Sequence, residues 1–328
     1  KYLLCNGPFH VSKWTEKTSV KLAKNNEYNG ESSVLPSSVT FYINNDDSEV
    51  ADKMNSVTYD VAFLSSSQFS SIENKKDLNS VAVQNVTYSF IFNQNDNNYR
   101  NKNMRLAFCR SCDTSSLFDS QSDISKADGI VPPSCKIGGE DYRNGNAAEL
   151  LSYDETLAKK NFNDALLELG SSSVETTILC TEQYEPFVKQ MVQKLQKTLG
   201  VKFVSTVKVV SESDLEAAVN DGNYSVAFYP FKAKSSFAGE IIEVFDQNNI
   251  FGYESDVLSQ KIRNIKNNSG SLEGERSAVA DAENYLVSEA VIMPVFYENS
   301  YFVTSKKTSG IYFYSSADNV CFINAKKS

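Results

Sequence analysis

Apolar and polar residues follow one another along the chain with two different periods. Phe9–Trp14 and Ser19–Lys24 alternate at every second residue, as half-buried strands do, and Val39–Ile43 is a β-branched and aromatic run typical of a strand. Other segments follow a period of three to four residues and are predicted as helices. Further strands are predicted at Tyr59–Leu64, Val81–Val83 and Tyr88–Phe92, and helices at Asp46–Asn55, from Met104 onward, and at Asp154–Leu169, Asp256–Asn267 and Glu273–Ser288.

The two periods alternate regularly between Thr176 and Tyr229. A strand at Thr176–Cys180 precedes a helix at Phe187–Leu199, and a strand at Val201–Val210 precedes a capping box at Ser213–Glu216 that starts the next helix. Tyr224–Tyr229 completes a strand–helix–strand–helix–strand order, which predicts a mostly parallel sheet with crossover helices. Ligands of such sheets bind beyond the carboxyl ends of the strands, so the loop after Tyr229 is the favoured site.

Irregular segments separate these regions. The polar stretch Asn93–Asn103 is the first candidate domain boundary, and Ser120–Asn146 is predicted as a long loop rich in Ser, Asp, Gly and Pro. The last long strand, Val291–Tyr297, contains Pro294, which marks an edge or an irregular position because proline has no N–H to donate.

Composition narrows the function classes. The chain has 328 residues, which suggests two domains, and a formal net charge of −9, which argues against a nucleic-acid-binding face. No run of 18 apolar residues is present, so this stretch does not span a membrane as a helix. A single histidine, His10, lies in an alternating segment that predicts a solvent-facing side chain, and it restricts the hydrolase and metalloenzyme chemistries available.

Cysteine spacing offers one motif, Cys109-x-x-Cys112. No second pair or histidine cluster completes a set of four metal ligands, and the surrounding residues are predicted to be helical. At this spacing the two sulfurs share one helix face, so we interpret them as a pair of small buried thiols. A disulfide, a metal site or catalysis are the lesser alternatives.

Several short motifs, in order along the chain, resemble those of the solute-binding proteins of oligopeptide and dipeptide ABC transporters, bacterial extracellular solute-binding protein family 5. Each motif alone is weakly specific, but together they cover nearly the whole chain. They are Asn6-Gly7-Pro8-Phe9 with Trp14, Arg105-Leu106-Ala107-Phe108, Ile130-Val131-Pro132-Pro133, Leu199-Gly200-Val201, Gly222-Asn223-Tyr224, and Ala282-Glu283 followed by Pro294-Val295-Phe296-Tyr297.

The resemblance implies a fold and a domain arrangement. The expected fold is α/β, like that of type II periplasmic binding proteins, with two lobes that each contain a mixed or parallel sheet flanked by helices. The chain is similar to the C-terminal three-fifths of such proteins, so the N-terminal portion of the larger lobe is expected to be absent. Residues 1–103 and 303–328 then belong to the larger lobe, residues 104–302 form the second lobe, and the hinge lies near Asn103 and Tyr301.

The implied function is capture of peptides between the lobes by hinge closure and delivery to the permease subunits of an ABC importer. The full-length protein is expected to be a monomeric lipoprotein outside the cytoplasm, with no cofactor, no metal and no catalytic residue. One alternative is the ligand-sensing domain of a cytoplasmic transcriptional regulator, and an extracytoplasmic enzyme is a third. Nickel, haem or oligosaccharide ligands also remain open within the family.

The resemblance also points to ligand-binding residues. Family members hold the peptide's amino group with an aromatic and an acidic residue after the strand that here ends near Tyr229. Phe231 keeps the aromatic residue, but Lys234 stands where the carboxylate is expected, and a lysine repels an ammonium group. We therefore predict that the ligand presents an anionic or neutral group there. Asn93 and Gln94 are further candidates; packing of Tyr229 and Phe231 between the lobes and a solvated Lys234 are the structural alternatives.

Overall fold

The chain forms two compact units. The computed structural model describes residues 5–30, 33–43, 47–114, 117–118, 122–246, 249–314 and 319–328. Unit 1 comprises Lys1–Val83 and Asn299–Ser328, and unit 2 comprises Gln84–Glu298, so unit 2 is one continuous insertion into unit 1. No helix in the described ranges combines the length and the apolar character needed to cross a lipid bilayer.

Strands and helices alternate through most of the described residues. The strands are β1 (Phe9–Thr15), β2 (Ser19–Lys24), β3 (Ser38–Tyr42), β4 (Val61–Ser65), β5 (Leu78–Val83), β6 (Val86–Phe92), β7 (Ile124–Lys126), β8 (Lys136–Ile137), β9 (Glu140–Asp141), β10 (Val174–Cys180), β11 (Phe203–Val209), β12 (Val226–Lys232), β13 (Ile292–Glu298), β14 (Ser300–Ser305), β15 (Thr308–Ser309), β16 (Tyr312–Tyr314), β17 (Asn319–Cys321) and β18 (Lys326–Lys327). The helices are α1 (Asp47–Asn55), α2 (Ser66–Ser71), α3 (Asn97–Arg100), α4 (Lys102–Arg110), α5 (Glu155–Leu169), α6 (Glu185–Leu199), α7 (Glu212–Asn220), α8 (Gly239–Glu243), α9 (Asp256–Asn267) and α10 (Leu272–Ser288). Strand β2 and helix α9 have the predicted bounds, whereas Asp46 and Ser120 lie outside the described residues.

Unit 1 is built from small antiparallel sheets. Strands β1, β2 and β3 form one sheet, and β4, β14 and β5 form another in which β14 is the central strand. Met54 and Val303 are fully buried in the hydrophobic core of this second sheet. His10 is exposed as predicted, but β1 is not the half-buried strand that its alternating residues predicted, because every side chain from His10 to Thr15 is exposed. Residues from the end of the chain therefore complete a sheet that begins more than 200 residues earlier in sequence.

Unit 2 is organised around a six-stranded sheet with the order β11-β10-β12-β6-β13-β7. Strand β10 runs parallel to both β11 and β12, which confirms the parallel arrangement predicted for this region. Strand β6 runs antiparallel to β12 and β13, so the complete sheet is mixed. A register shift between Pro294 and Phe296 accommodates the proline in β13 as an irregular position.

Helices cover both faces of this sheet. Phe90 and Phe92 of β6 belong to one buried cluster together with side chains of α4, α5 and α6, whereas Ile91 belongs to another with side chains of α7 to α10. Successive residues of a strand point to opposite faces, so the two clusters are the two sides of one sheet. Unit 2 thus has the predicted α/β arrangement of a mixed sheet flanked by helices, whereas the described sheets of unit 1 are antiparallel.

The boundary between the units differs in position from the predicted one. The polar stretch before Asn103 suggested a crossing there, but the chain passes from unit 1 to unit 2 between Val83 and Gln84 and returns between Glu298 and Asn299. The reason is the pairing of β6 with both β12 and β13, which places it at the centre of unit 2. Composition along the chain cannot reveal such pairing.

Helix α7 begins two residues earlier than the predicted capping box. Its N-cap is Ser211, whose hydroxyl accepts a hydrogen bond from the Asp214 amide at 3.1 Å. Ser213, the predicted cap, already lies in the first turn. Each serine is followed three residues later by an acidic residue, so the sequence fits a helix that starts at either serine. Strand β11 ends at Val209, which leaves room for the helix to begin after Ser211.

Candidate functional site

The carboxyl ends of the parallel strands meet at one edge of the sheet in unit 2. Cys180 at the end of β10 lies beside Val209 at the end of β11, and Leu179 lies beside Ala227 of β12. Because β6 is antiparallel, its first residue Val86 pairs with Lys232, the last residue of β12. Strand β13 also ends here, so both chain connections to unit 1 leave from this edge.

A cavity of about 540 Å³ lies at this edge, within the ~300–1,000 Å³ range of small-molecule sites. Its lining includes three carboxylates, those of Glu182, Glu212 and Asp214. Asp214 accepts a hydrogen bond at 2.7 Å from the hydroxyl of Ser211, the N-cap residue of α7, and this bond stabilises the negative charge of its carboxylate. The remaining lining residues are Thr181, Gln183, Val209, Val210 and Ser211. The arrangement favours a ligand with a positively charged or hydrogen-bond-donating group.

Two tyrosines and a glutamate occupy the same edge. Tyr184, four residues after the end of β10, packs against Tyr88 with ring centroids 4.3 Å apart, and its hydroxyl donates a hydrogen bond to Oε1 of Glu298 at 3.0 Å. Burial raises the pKa of both phenol groups, so the hydroxyls remain protonated donors at neutral pH. Sequence reasoning missed these residues, although alternation in β6 and the position of Glu298 at a strand end were available signals.

Three of the predicted ligand-binding residues lie on or just after β12. Tyr229 is half-buried, and burial raises its pKa. Phe231 is only 5% exposed and packs against Phe245 and Phe251, with ring centroids 5.6 and 5.9 Å away. Lys234 is exposed beyond the strand's end. Phe231 thus has little surface left for a ligand, whereas Tyr229 and Lys234 remain accessible at the carboxyl edge.

Asn93 and Gln94 lie at the other end of β6, next to the start of β12. The Asn93 amide nitrogen donates to the carbonyls of Gly222 and Tyr224 at 2.8 and 2.7 Å, and its oxygen accepts from the Asn95 amide at 3.0 Å. Gln94 is 6% exposed, and its side-chain nitrogen has no hydrogen-bond partner among the described residues. The structure therefore does not bring these two residues together with Lys234, and their role as ligand contacts stays a prediction.

The side chain of Asn93 is expected to stabilise the folded protein. Replacing it with alanine leaves the Gly222 and Tyr224 carbonyls without their donor, which should lower the free energy of unfolding by about 1–3 kcal/mol. Urea unfolding measures this, with Asn97→Ala as the control because Asn97 is exposed and should change stability by about 0.5 kcal/mol or less. Equal effects of the two substitutions would contradict the anchoring role.

Two charged residues of the sequence motifs are buried inside unit 2. Arg105 is 3% exposed, and its guanidinium donates to the carbonyls of four residues: Tyr99, Arg100, Glu289 and Ala290. Glu283 on α10 is 1% exposed and accepts hydrogen bonds from the Val131 amide, the Tyr142 hydroxyl and the Arg143 guanidinium. Arg105 thus holds the chain around α4 to the end of α10, and Glu283 holds the proline-bearing loop. These motif residues build the scaffold.

The thiols of Cys109 and Cys112 are buried and unbonded to each other. Burial raises the pKa of each thiol to about 12, which leaves almost none of either in the nucleophilic thiolate form at neutral pH. The structure confirms the interpretation of Cys109 and Cys112 as small buried thiols.

The amino-acid sequence of the chain is similar to a known family and to a characterised relative. The family model for bacterial extracellular solute-binding proteins, family 5 (middle part), matches residues 1–250. The dipeptide-binding protein DppE of Bacillus subtilis (strain 168) is 23% identical over 314 residues, which cover 93% of this chain and 57% of DppE.

Solved structures share the fold. The substrate-binding domain of an oligopeptide ABC transporter from Bacillus anthracis str. Ames superposes with a TM-score of 0.77 at 17% identity, covering 98% of this chain and 65% of that one. Peptide-bound OppA of Listeria monocytogenes gives 0.76 at 20% identity, covering 98% and 64%. The chain thus spans less than two thirds of these relatives. It has their type II periplasmic-binding-protein fold, and since the family model matches most of its length, the chain belongs to the bacterial extracellular solute-binding proteins of family 5.

Proposed function

We propose that this chain is part of the extracytoplasmic solute-binding component of an ABC importer, which captures peptides and delivers them to membrane permease subunits. The observation that carries the proposal is the carboxyl edge of the unit 2 sheet, where a cavity of about 540 Å³ lies at the strand ends. Relatives described as dipeptide-binding or bound to peptide support it. The carboxylates, hydroxyl groups and aromatic rings at this edge are suited to hold a ligand by hydrogen bonding, charge and packing, which supports capture without chemistry on the ligand.

The two-lobe mechanism follows as part of the same proposal. Unit 1 contributes to the larger lobe and unit 2 forms the second, with the hinge at 83–84 and 298–299 rather than near Asn103 and Tyr301. In this proposal the peptide is captured between the two lobes by closure of this hinge. In this proposal the full-length protein is a monomer held outside the cytoplasm by a lipid anchor.

Charge along the edge suggests how a peptide is oriented. Glu182 and Glu212 line the cavity at the ends of β10 and β11, whereas Lys234 follows the end of β12. Opposite charges attract and like charges repel, so a peptide lies with its ammonium group toward the carboxylates and its carboxylate toward Lys234. This orientation agrees with the prediction that an anionic group of the ligand faces Lys234. The carboxylates of Glu182 and Glu212 are then the acidic partners of the peptide's amino group.

Calorimetry with short peptides tests the proposal. Wild-type protein, as made by its own host, is expected to bind peptides, and Lys234→Asp should weaken binding of peptides with a free carboxylate about tenfold, which corresponds to ~1.4 kcal/mol. C-terminally amidated peptides should lose less affinity on the same substitution, because they lack the carboxylate that faces Lys234.

The matched control is Lys202→Asp, because Lys202 is also exposed but precedes β11 at the opposite edge of the sheet. It should leave affinity unchanged. Unchanged affinity of Lys234→Asp for every ligand would remove Lys234 from the site. Native mass spectrometry that finds no co-purified peptide, together with no heat on adding peptides, would overturn the function itself.

A further inference from the structure

Unit 1 carries a group of lysines at one end of its sheet β4-β14-β5. The strands of this sheet are antiparallel, so the start of β4, the start of β5 and the end of β14 lie at the same end. Lys75 and Lys76 precede β5, and Lys306 and Lys307 follow β14. The Lys306 amide donates to the Asp77 carbonyl at 2.9 Å, and its ammonium group donates to the Lys76 carbonyl at 2.7 Å. Folding thus brings together lysines that are 230 positions apart in the sequence.

The last strand of the chain adds two lysines to this group. Strand β18, which is Lys326–Lys327, pairs with β15 directly after Lys307. Lys327 forms an ion pair at 2.9 Å with Asp60, the residue that precedes β4. All six lysine side chains are exposed. We call this group the lysine surface, and its members are Lys75, Lys76, Lys306, Lys307, Lys326 and Lys327.

Positive charge exceeds negative charge on the lysine surface. The acidic neighbours are Asp60, Glu73 and Asp77, so six lysines accompany three carboxylates. Within the part of the chain that the structure describes, Lys327 alone among the six forms an ion pair. Like charges repel, so gathering them costs free energy unless an anionic partner compensates. The chain as a whole has a net charge of −9, so a general excess of lysine does not account for the group.

The type of residue indicates the type of partner. Every cation of the lysine surface is an ammonium group, a point charge on a flexible stem, whereas an arginine fork holds one carboxylate or phosphate in a fixed geometry. Exposed point charges suit a broad layer of negative charge, and anionic lipid headgroups form such a layer. We propose that the lysine surface docks the protein on a bilayer that contains anionic lipids. The choice of a membrane rests on the proposed function, which keeps the protein beside one.

Vesicle sedimentation tests the lysine surface, with the protein free of any lipid modification. At ~0.1 M salt, wild-type protein should bind vesicles of phosphatidylcholine that contain about one third phosphatidylglycerol, and should not bind vesicles of phosphatidylcholine alone. At ~1 M salt the binding should be lost, because the Debye length falls from ~10 Å to ~3 Å. Equal binding to both kinds of vesicle, or binding to neither, would overturn the proposal.

Three substitutions remove the excess charge without breaking a contact. The ammonium groups of Lys76, Lys307 and Lys326 form no hydrogen bond or ion pair within the described ranges. The Lys76→Gln/Lys307→Gln/Lys326→Gln variant should therefore fold as the wild type does, which circular dichroism checks. Its partition coefficient for the phosphatidylglycerol vesicles should fall at least tenfold, since each lysine near an anionic surface adds to the attraction.

The matched control is Lys197→Gln/Lys202→Gln/Lys266→Gln, which removes the same charge from exposed positions of unit 2. It should bind vesicles nearly as the wild type does, and equal losses by the two triple variants would overturn the proposal. Peptide calorimetry on the same proteins separates the two questions. Vesicle binding without peptide binding would contradict the proposed function and support the lysine surface, whereas peptide binding without vesicle binding would overturn the lysine surface alone.

Discussion

Replacing Glu283 with alanine is expected to lower the free energy of unfolding by about 3–5 kcal/mol. The Glu283 carboxylate is almost fully buried and forms an ion pair with Arg143, whose side chain is only 8% exposed. It also accepts hydrogen bonds from the Val131 amide at 2.9 Å and the Tyr142 hydroxyl at 3.1 Å. Alanine would leave a buried guanidinium without its carboxylate and two donors without their acceptor, and removing one partner of a buried pair costs far more than the pair contributes.

Urea unfolding followed by far-UV circular dichroism measures this loss, since most long helices belong to unit 2. Asp281→Asn provides a control on the same helix. Asp281 accepts a hydrogen bond from Lys261 at 2.6 Å, but its side chain is 60% exposed, so the pair should contribute about 1 kcal/mol or less. If the two substitutions destabilise the protein equally, the buried network does not hold the loop.

Replacing Phe231 with alanine is expected to lower the free energy of unfolding by about 3–5 kcal/mol as well. Its ring is 5% exposed and packs against Phe245 and Phe251, so truncation removes a large apolar surface and leaves a cavity. Phe231→Leu keeps most of the volume and should cost roughly 1.5 kcal/mol or less.

Peptide affinity of Phe231→Leu separates packing from ligand contact. If Phe231 acts through the core, the leucine variant should bind peptide as wild type does, whereas Tyr229→Ala, at the half-buried neighbouring position on the same face, should bind more weakly. A stable Phe231→Leu variant with strongly reduced peptide affinity would instead show that Phe231 contacts the ligand. Calorimetry with one peptide across the three proteins makes the comparison.

Much of the secondary structure was predictable because it depends on local periodicity. Helix α5 shows this: Asp154 accepts from the Leu157 amide as the N-cap, and Gly170 ends the helix with a left-handed φ of 62°. Capping groups and apolar spacing lie within one or two turns of each other, so the sequence displays them directly. The order of strands and helices between Thr176 and Tyr229 predicted the parallel part of the sheet for the same reason.

The candidate site was predictable only in outline. The carboxyl edge followed from the strand order, and the loop after Tyr229 lies there. Asn93 and Gln94 were candidates because they lie where a strand leads into the predicted hinge, but β6 runs antiparallel to β12, which puts its end at the opposite edge. Strand direction depends on which partners pair, and pairing joins residues more than 100 positions apart.

By itself the sequence determined the α/β class, the approximate positions of most of the longer helices and strands, and the family, since these depend on short-range patterns and ordered motifs. The tertiary structure alone decided that β6 belongs to unit 2, that β14 completes a sheet of unit 1, and that Glu283, Arg105 and Phe231 are buried. A glutamate on a helix or a phenylalanine after a strand has the same local pattern whether it binds a ligand or anchors a loop. Burial and distant partners distinguish the two roles, because removing a charge or ring from water is favourable only where the rest of the chain supplies its contacts.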